Sequence, residues 1–155
     1  MAIPAKDFIN YAQQLQKANC TGVCWDFAVG FNRLLLRKTP AQLPDSVRTF
    51  NFNNNGYPAT MWENIANRLM VGDVLVIVYI GKYTQHHFAV ALGDSLFGWV
   101  CSFSYDKRHL EPMKDYENKI AVVCKFIGNP ILDPDRMSFV HIPSKNVDGF
   151  VKALG

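Results

Sequence analysis

A chain of 155 residues, 49% hydrophobic and 19% charged, is long enough for one domain to bury roughly two-thirds of its unfolded surface, which excludes wholesale disorder. The net charge of +3 comes from scattered lysines and arginines, so no basic stripe points to nucleic acid and no nucleic-acid partner is expected. No stretch reaches the ~18 consecutive apolar residues of a membrane span, and "MAIPAKDFINYAQQLQKANC" lacks the charged-then-apolar order of a secretory leader. The expectation is a product made in the cytoplasm without a signal peptide and without membrane insertion.

The first helix is predicted from Pro4, with Asp7, Phe8, Tyr11 and Leu15 at helical spacing, to end near Lys17. A second is predicted from Val23, where Cys24, Phe27, Ala28, Phe31, Leu34 and Leu35 give one buried face. Thr21 and Gly22 are the expected cap, and Thr39 with Pro40 the stop. Cys20 and Cys24 then stand one turn apart at the start of this helix. Residues 39 to 59, rich in Pro and Asn, read as a long irregular crossover, and Trp62 to Leu69 as a short helix.

From Val71 the period changes to that of strands. "VGDVLVIVYI", "HHFAVAL", "LFGWVCSF", "KIAVVCKFI" and "RMSFVHI" are predicted strands, with Gly93 to Ser95 turning between the second and third. Lys145 to Leu154 reads as a last short helix. Helices followed by antiparallel strands give an α+β fold with a helix packed on a sheet, in a single domain spanning 1–155.

Four cysteines in a chain of this size without a leader are a poor disulfide framework. Zinc would need Cys20 and Cys24 together with His86 and His87, but adjacent strand residues point to opposite faces. No metal and no cofactor is therefore expected. A thiol at a helix N-terminus is a different matter, because the backbone N–H groups there favour the thiolate. A histidine on a neighbouring strand can serve as its base. Cys24, followed downstream by His86 and by His87 63 positions on, fits that requirement, with Cys20 as the alternative nucleophile and the choice between the two histidines left open by the spacing. Buried cysteine as plain core is the competing reading.

"GVCWDFA" resembles the Gly-x-Cys-Trp-Asp-Phe-Ala segment of transglutaminase-type enzymes, and "CWDFA" the Cys-Trp-Ala-Phe-Ser stretch of papain. Both likenesses put the nucleophile at Cys24. "VGDVLVIV" followed by "HHFAVALGDSLF" is similar to the Gly-Asp-Leu-Val strand and the His-Val-Gly-Ile-Tyr-Leu-Gly-Asp-Gly hairpin of NlpC-type cell-wall peptidases, with His87 at the catalytic position. That family's Asp-Cys-Ser-Gly-Phe motif resembles "NCTGV", which would put the nucleophile at Cys20. The matched segments cover less than a third of the chain. Where the families carry a third, histidine-orienting residue, this chain has Trp99 or Phe103; Asp106 is the nearby carboxylate and the candidate substitute.

The resemblance implies a papain-like (NlpC-type) α+β fold and a cysteine hydrolase in which Cys24 attacks an amide and His87 moves the proton. A small, slightly basic, single-domain chain with an NlpC-like hairpin also resembles the peptidoglycan amidase effectors that bacteria inject by type VI secretion. That likeness implies a stem-peptide substrate, export to a target cell's periplasm, an immunity protein as inhibitor, and a monomer. The alternatives are a glutamine deamidase or transglutaminase-like toxin acting on a host protein, and a papain-like binding module without activity.

Overall fold

The computed structural model describes residues 3–40, 43, 46–50, 69–72, 74–80, 83–93, 96–99, 109–112, 120–125, 137–141 and 146–155. Among these, three helices and two antiparallel sheets establish an α+β fold. Helix α1 spans Ala5–Lys17, α2 spans Cys24–Leu34 and α3 spans Val147–Leu154. The strands are β1 (Ser46–Phe50), β2 (Val74–Ile80), β3 (Tyr83–Gly93), β4 (Leu96–Trp99), β5 (His109–Pro112), β6 (Ile120–Lys125) and β7 (Met137–His141). The larger sheet runs in the order β5-β4-β3-β2-β6, and β1 pairs with β7 in a second, two-stranded sheet.

The apolar stripe of α1, Phe8, Tyr11, Ala12 and Leu15, is buried as its spacing predicts. Helix α2 departs from the expectation of one buried face, since every residue from Trp25 to Asn32 is buried. It is covered on three sides, and an aromatic contact marks each. Phe31 meets Phe8 of α1 at 5.8 Å between centroids, Phe27 meets Phe150 of α3 at 5.0 Å, and Trp25 meets Phe88 of β3 edge-on at 5.2 Å. Each fully buried aromatic of this kind contributes about 1.5–3 kcal/mol by removal from water. Gly30 makes the close approach possible, because a Cβ there would lie 2.7 Å from the Tyr11 hydroxyl and 2.9 Å from the Phe150 ring.

The sheet presents one face to the helices. Phe88, Val90 and Leu92 belong to the core shared with α1, α2 and α3. Gly98, opposite Val90, comes so close to Phe8 that a Cβ would meet its ring at 2.9 Å. Ala89 and Ala91, at the alternate positions, are buried too but stand outside that shared core.

Three expectations need correction. The crossover from 39 to 59 is not wholly irregular, since Ser46–Phe50 forms β1 and pairs with β7 from Ser46 opposite His141 to Phe50 opposite Met137. Its five residues carry β-branched Val47 and Thr49, a signal masked by Pro44 and the Asn run on either side. Strand β5 is not among the predicted strands: His109 opens it opposite Trp99. Strand β3 begins at Tyr83, three residues before the histidines, because its first half pairs with β2. The expected Trp62 to Leu69 helix lies, but for Leu69, outside the described residues.

Candidate active site

The two N-terminal cysteines belong to different helix ends. Helix α1 ends at Ala18, and Asn19 adopts the left-handed conformation at φ 57°. The Asn19 N–H then donates to the Gln16 carbonyl, and the Cys20 N–H to the Leu15 carbonyl, each at 3.0 Å. These two bonds are the pair that closes a helix C-terminus in a Schellman motif, and the residue in the Cys20 position packs back on the core. Cys20 does so, and its partial burial pushes its thiol pKa up. The expectation that both sulfurs stand on one helix is therefore overturned. The missed signal was Asn19, the residue after glycine best suited to that turn.

Cys24 is the first residue of α2. The expected cap at Thr21 and Gly22 is also replaced: the N-cap is Val23, in extended conformation, 49% exposed and without a side-chain acceptor. Asp26 supplies what Val23 lacks. Its Oδ2 accepts from the Val23 N–H at 2.9 Å, the half of a capping box in which the third helical residue reaches back. The same oxygen accepts from Asn146 Nδ2 at 3.0 Å, and Asp26 is only 3% exposed. Gly22 leaves room for this carboxylate, since a Cβ there would meet Asp26 Cβ at 3.0 Å and Phe150 at 3.1 Å.

The Phe88 backbone N–H donates to Cys24 Sγ at 3.4 Å. Phe88 stands opposite Ile77 of β2 and lies outside the described β3–β4 register, which begins at Val90. This contact brings the first residue of α2 to the position immediately after the His86–His87 pair. In β3 those residues stand opposite Tyr79 and Val78 respectively. By the two-residue alternation of a strand, His86 has the parity of Phe88, Val90 and Leu92, and His87 that of Ala89 and Ala91. Trp25 is fully buried against Phe88 and forms core.

Cys124 stands opposite Leu75 on β6. Asp106, the candidate third member, lies outside the described residues, as does Cys101. An open groove of about 350 Å³, lined by Asp7, Asn10, Leu34, Arg37 and Leu154 among others, lies between α1, the last turn of α2 and the end of α3. It is at the far end of α2 from Cys24, about 15 Å along the axis at 1.5 Å per residue. No protein-family model, curated protein or solved structure matches the chain. Among the described residues, no helix is long and apolar enough to cross a membrane.

Proposed function

We propose that the protein is a cysteine hydrolase of papain-like architecture, with Cys24 as nucleophile and the His86–His87 pair supplying the base. The observation that carries this reading is the 3.4 Å contact between the Phe88 N–H and Cys24 Sγ. It joins a helix-start thiol to the residue next to two histidines, across 64 positions of sequence. A donor to sulfur and a helix N-terminus both favour the thiolate, the reactive form.

In the reaction, the thiolate attacks an amide carbonyl and N–H groups of the first turn of α2 stabilise the oxyanion. The imidazolium returns its proton to the departing amine, and water then releases the acyl group from sulfur. The parity of β3 favours His86 as the base, while the likeness to NlpC-type hairpins favours His87. Asp106 is the proposed orienting carboxylate.

The substrate is an amide in the peptide stem of peptidoglycan, and the hairpin "HHFAVALGDSLF" is the feature that supports it. The protein then acts in the periplasm of a target cell after delivery by a dedicated secretion system, as a monomer, with an immunity protein to restrain it in the producer. The segment "GVCWDFA" favours a second reading, a glutamine deamidase or transglutaminase-like toxin acting on a host protein.

Digestion of purified sacculi distinguishes the two. Wild-type protein should release new stem-peptide fragments, resolved by chromatography and mass, and Cys24→Ala should release none above the blank. Identical fragment profiles from both proteins would rule out the wall-hydrolase reading.

A further inference from the structure

Asn146 is an uncommon N-cap. Asparagine is favoured at that position because its side-chain oxygen accepts from its own helix, yet Asn146 makes no such bond at the start of α3. Its amide turns to another helix and donates to Asp26 Oδ2 at 3.0 Å. Asp26 in turn holds the Val23 N–H through the same oxygen. A buried carboxylate two residues from Cys24 opposes the positive end of the α2 dipole and so works against a thiolate there. The Asn146 donor offsets part of that negative charge.

We infer that Asp26 and Asn146 are positioning residues for the Cys24 thiol, through which the C-terminal helix fixes the first turn of α2 and sets the charge that the sulfur meets. This rests on Cys24 being the nucleophile. The remaining helix-to-helix contacts support the rigidity of the arrangement. Phe150 fills the space that Gly22 and Gly30 leave open, and Arg33 pairs with Asp148 at 3.0 Å on the exposed side. Besides Cys24, the titratable and charged groups of the elements packed around this turn are Asp26 and Arg33 on α2, Lys6, Asp7, Tyr11 and Lys17 on α1 with Cys20 just after it, and Tyr83, His86 and His87 on β3. On α3 the only charges are Asp148 and Lys152.

Two isosteric substitutions separate positioning and charge from mere support. In Asp26→Asn the amide oxygen can still accept from both Val23 and Asn146, so the tie survives and the charge goes. In Asn146→Asp the tie is replaced by two facing carboxylates. The readout is the pH dependence of Cys24 alkylation by iodoacetamide, followed by peptide mass, with Cys20 as the internal reference and circular dichroism as the check on folding.

Asp26→Asn should move the Cys24 profile to lower pH, and Asn146→Asp and Asn146→Ala should move it to higher pH, each changing the rate at pH 7 by about threefold. Asp148→Asn, on the same helix but paired at the far side, should leave the profile where it is. Profiles that shift the same way in Asp26→Asn and Asn146→Asp, or not at all, overturn the inference while leaving the nucleophile in place. A wild-type Cys24 that labels no faster than Cys20 overturns the nucleophile and this inference together.

Discussion

Cys20 and Cys24 are four positions apart and chemically alike, yet they occupy opposite kinds of helix end. Cys20 follows the C-terminus of α1, where the carbonyl end of the helix dipole disfavours a negative charge, and burial pushes its thiol further up. Cys24 opens α2, where the dipole favours a negative charge and the Phe88 N–H donates to the sulfur. Spacing alone does not decide a thiol's chemistry. The direction of the nearest helix does, and between Ala18 and Val23 the chain leaves one helix and enters the next.

The sharpest way to break this comparison is to remove each sulfur in turn. Under the proposed hydrolase function, Cys24→Ala should lower turnover of a stem-peptide substrate by at least about a thousandfold, the scale of losing a nucleophile. Cys20→Ala should stay within about threefold of wild type, because Cys20 closes a helix and packs on the core. Initial rates on soluble stem-peptide fragments measure both. Equal losses would mean that the two helix ends act as one site.

The two helices on either side of this contrast were legible in the sequence, but the contrast itself was not, since both sulfurs were expected at the start of one helix. The apolar spacing of Phe8, Tyr11 and Leu15 marks α1 almost to the residue, and that of Cys24, Phe27, Ala28, Phe31 and Leu34 marks α2, which ends at Leu34, short of the expected stop at Thr39 and Pro40. The link between them was misread because Thr21 is a better cap by type than Val23. Capping here depends on a carboxylate three residues inside the helix, Asp26, and on an amide 120 positions away, Asn146. Only tertiary contact reveals that partnership. The approach of Cys24 to β3 was a condition that the Cys24–His87 pairing required, not something that spacing could establish. The sulfur's actual partner, the Phe88 backbone, carries no signal in residue type. Strand β1 was lost because five residues between a proline and an asparagine run are too few to establish a period of two.

Gly22 offers a milder perturbation of the same junction. A methyl group there would press on Asp26 and Phe150 at 3.0–3.1 Å, within the carboxylate's own packing shell. Gly22→Ala should therefore cost about 1–3 kcal/mol, the usual range for overpacking, read as a lower urea midpoint with an unchanged slope. It should also slow Cys24 alkylation relative to Cys20, because the first turn of α2 is displaced while the end of α1 is not. A stability loss with an unchanged labelling ratio would show that the two ends are energetically but not chemically distinct.

The smallest effect comes from the residue that senses both ends. Tyr11 is buried, its hydroxyl donates to the Phe27 carbonyl at 2.7 Å, and its pKa is pushed well above the usual tyrosine value by burial, then by the Asp26 charge, then by Cys20. Cys20 is raised as well. For an acid whose folded pKa is raised, the unfolded chain loses its proton first, so the folded state binds more protons and stability falls as pH rises. The fall should begin near pH 8.5, where an unfolded thiol ionises, and steepen above about pH 10 with the phenol. Tyr11→Phe removes the phenol's share. At pH 7 it should be less stable than wild type by about 1 kcal/mol, the net value of one hydrogen bond. Above about pH 10 that deficit should shrink and then reverse, because the phenylalanine has no proton to lose. Urea denaturation at pH 7, 9 and 11 measures the crossing, and parallel stability curves would mean that Tyr11 does not sense the charges at either helix end.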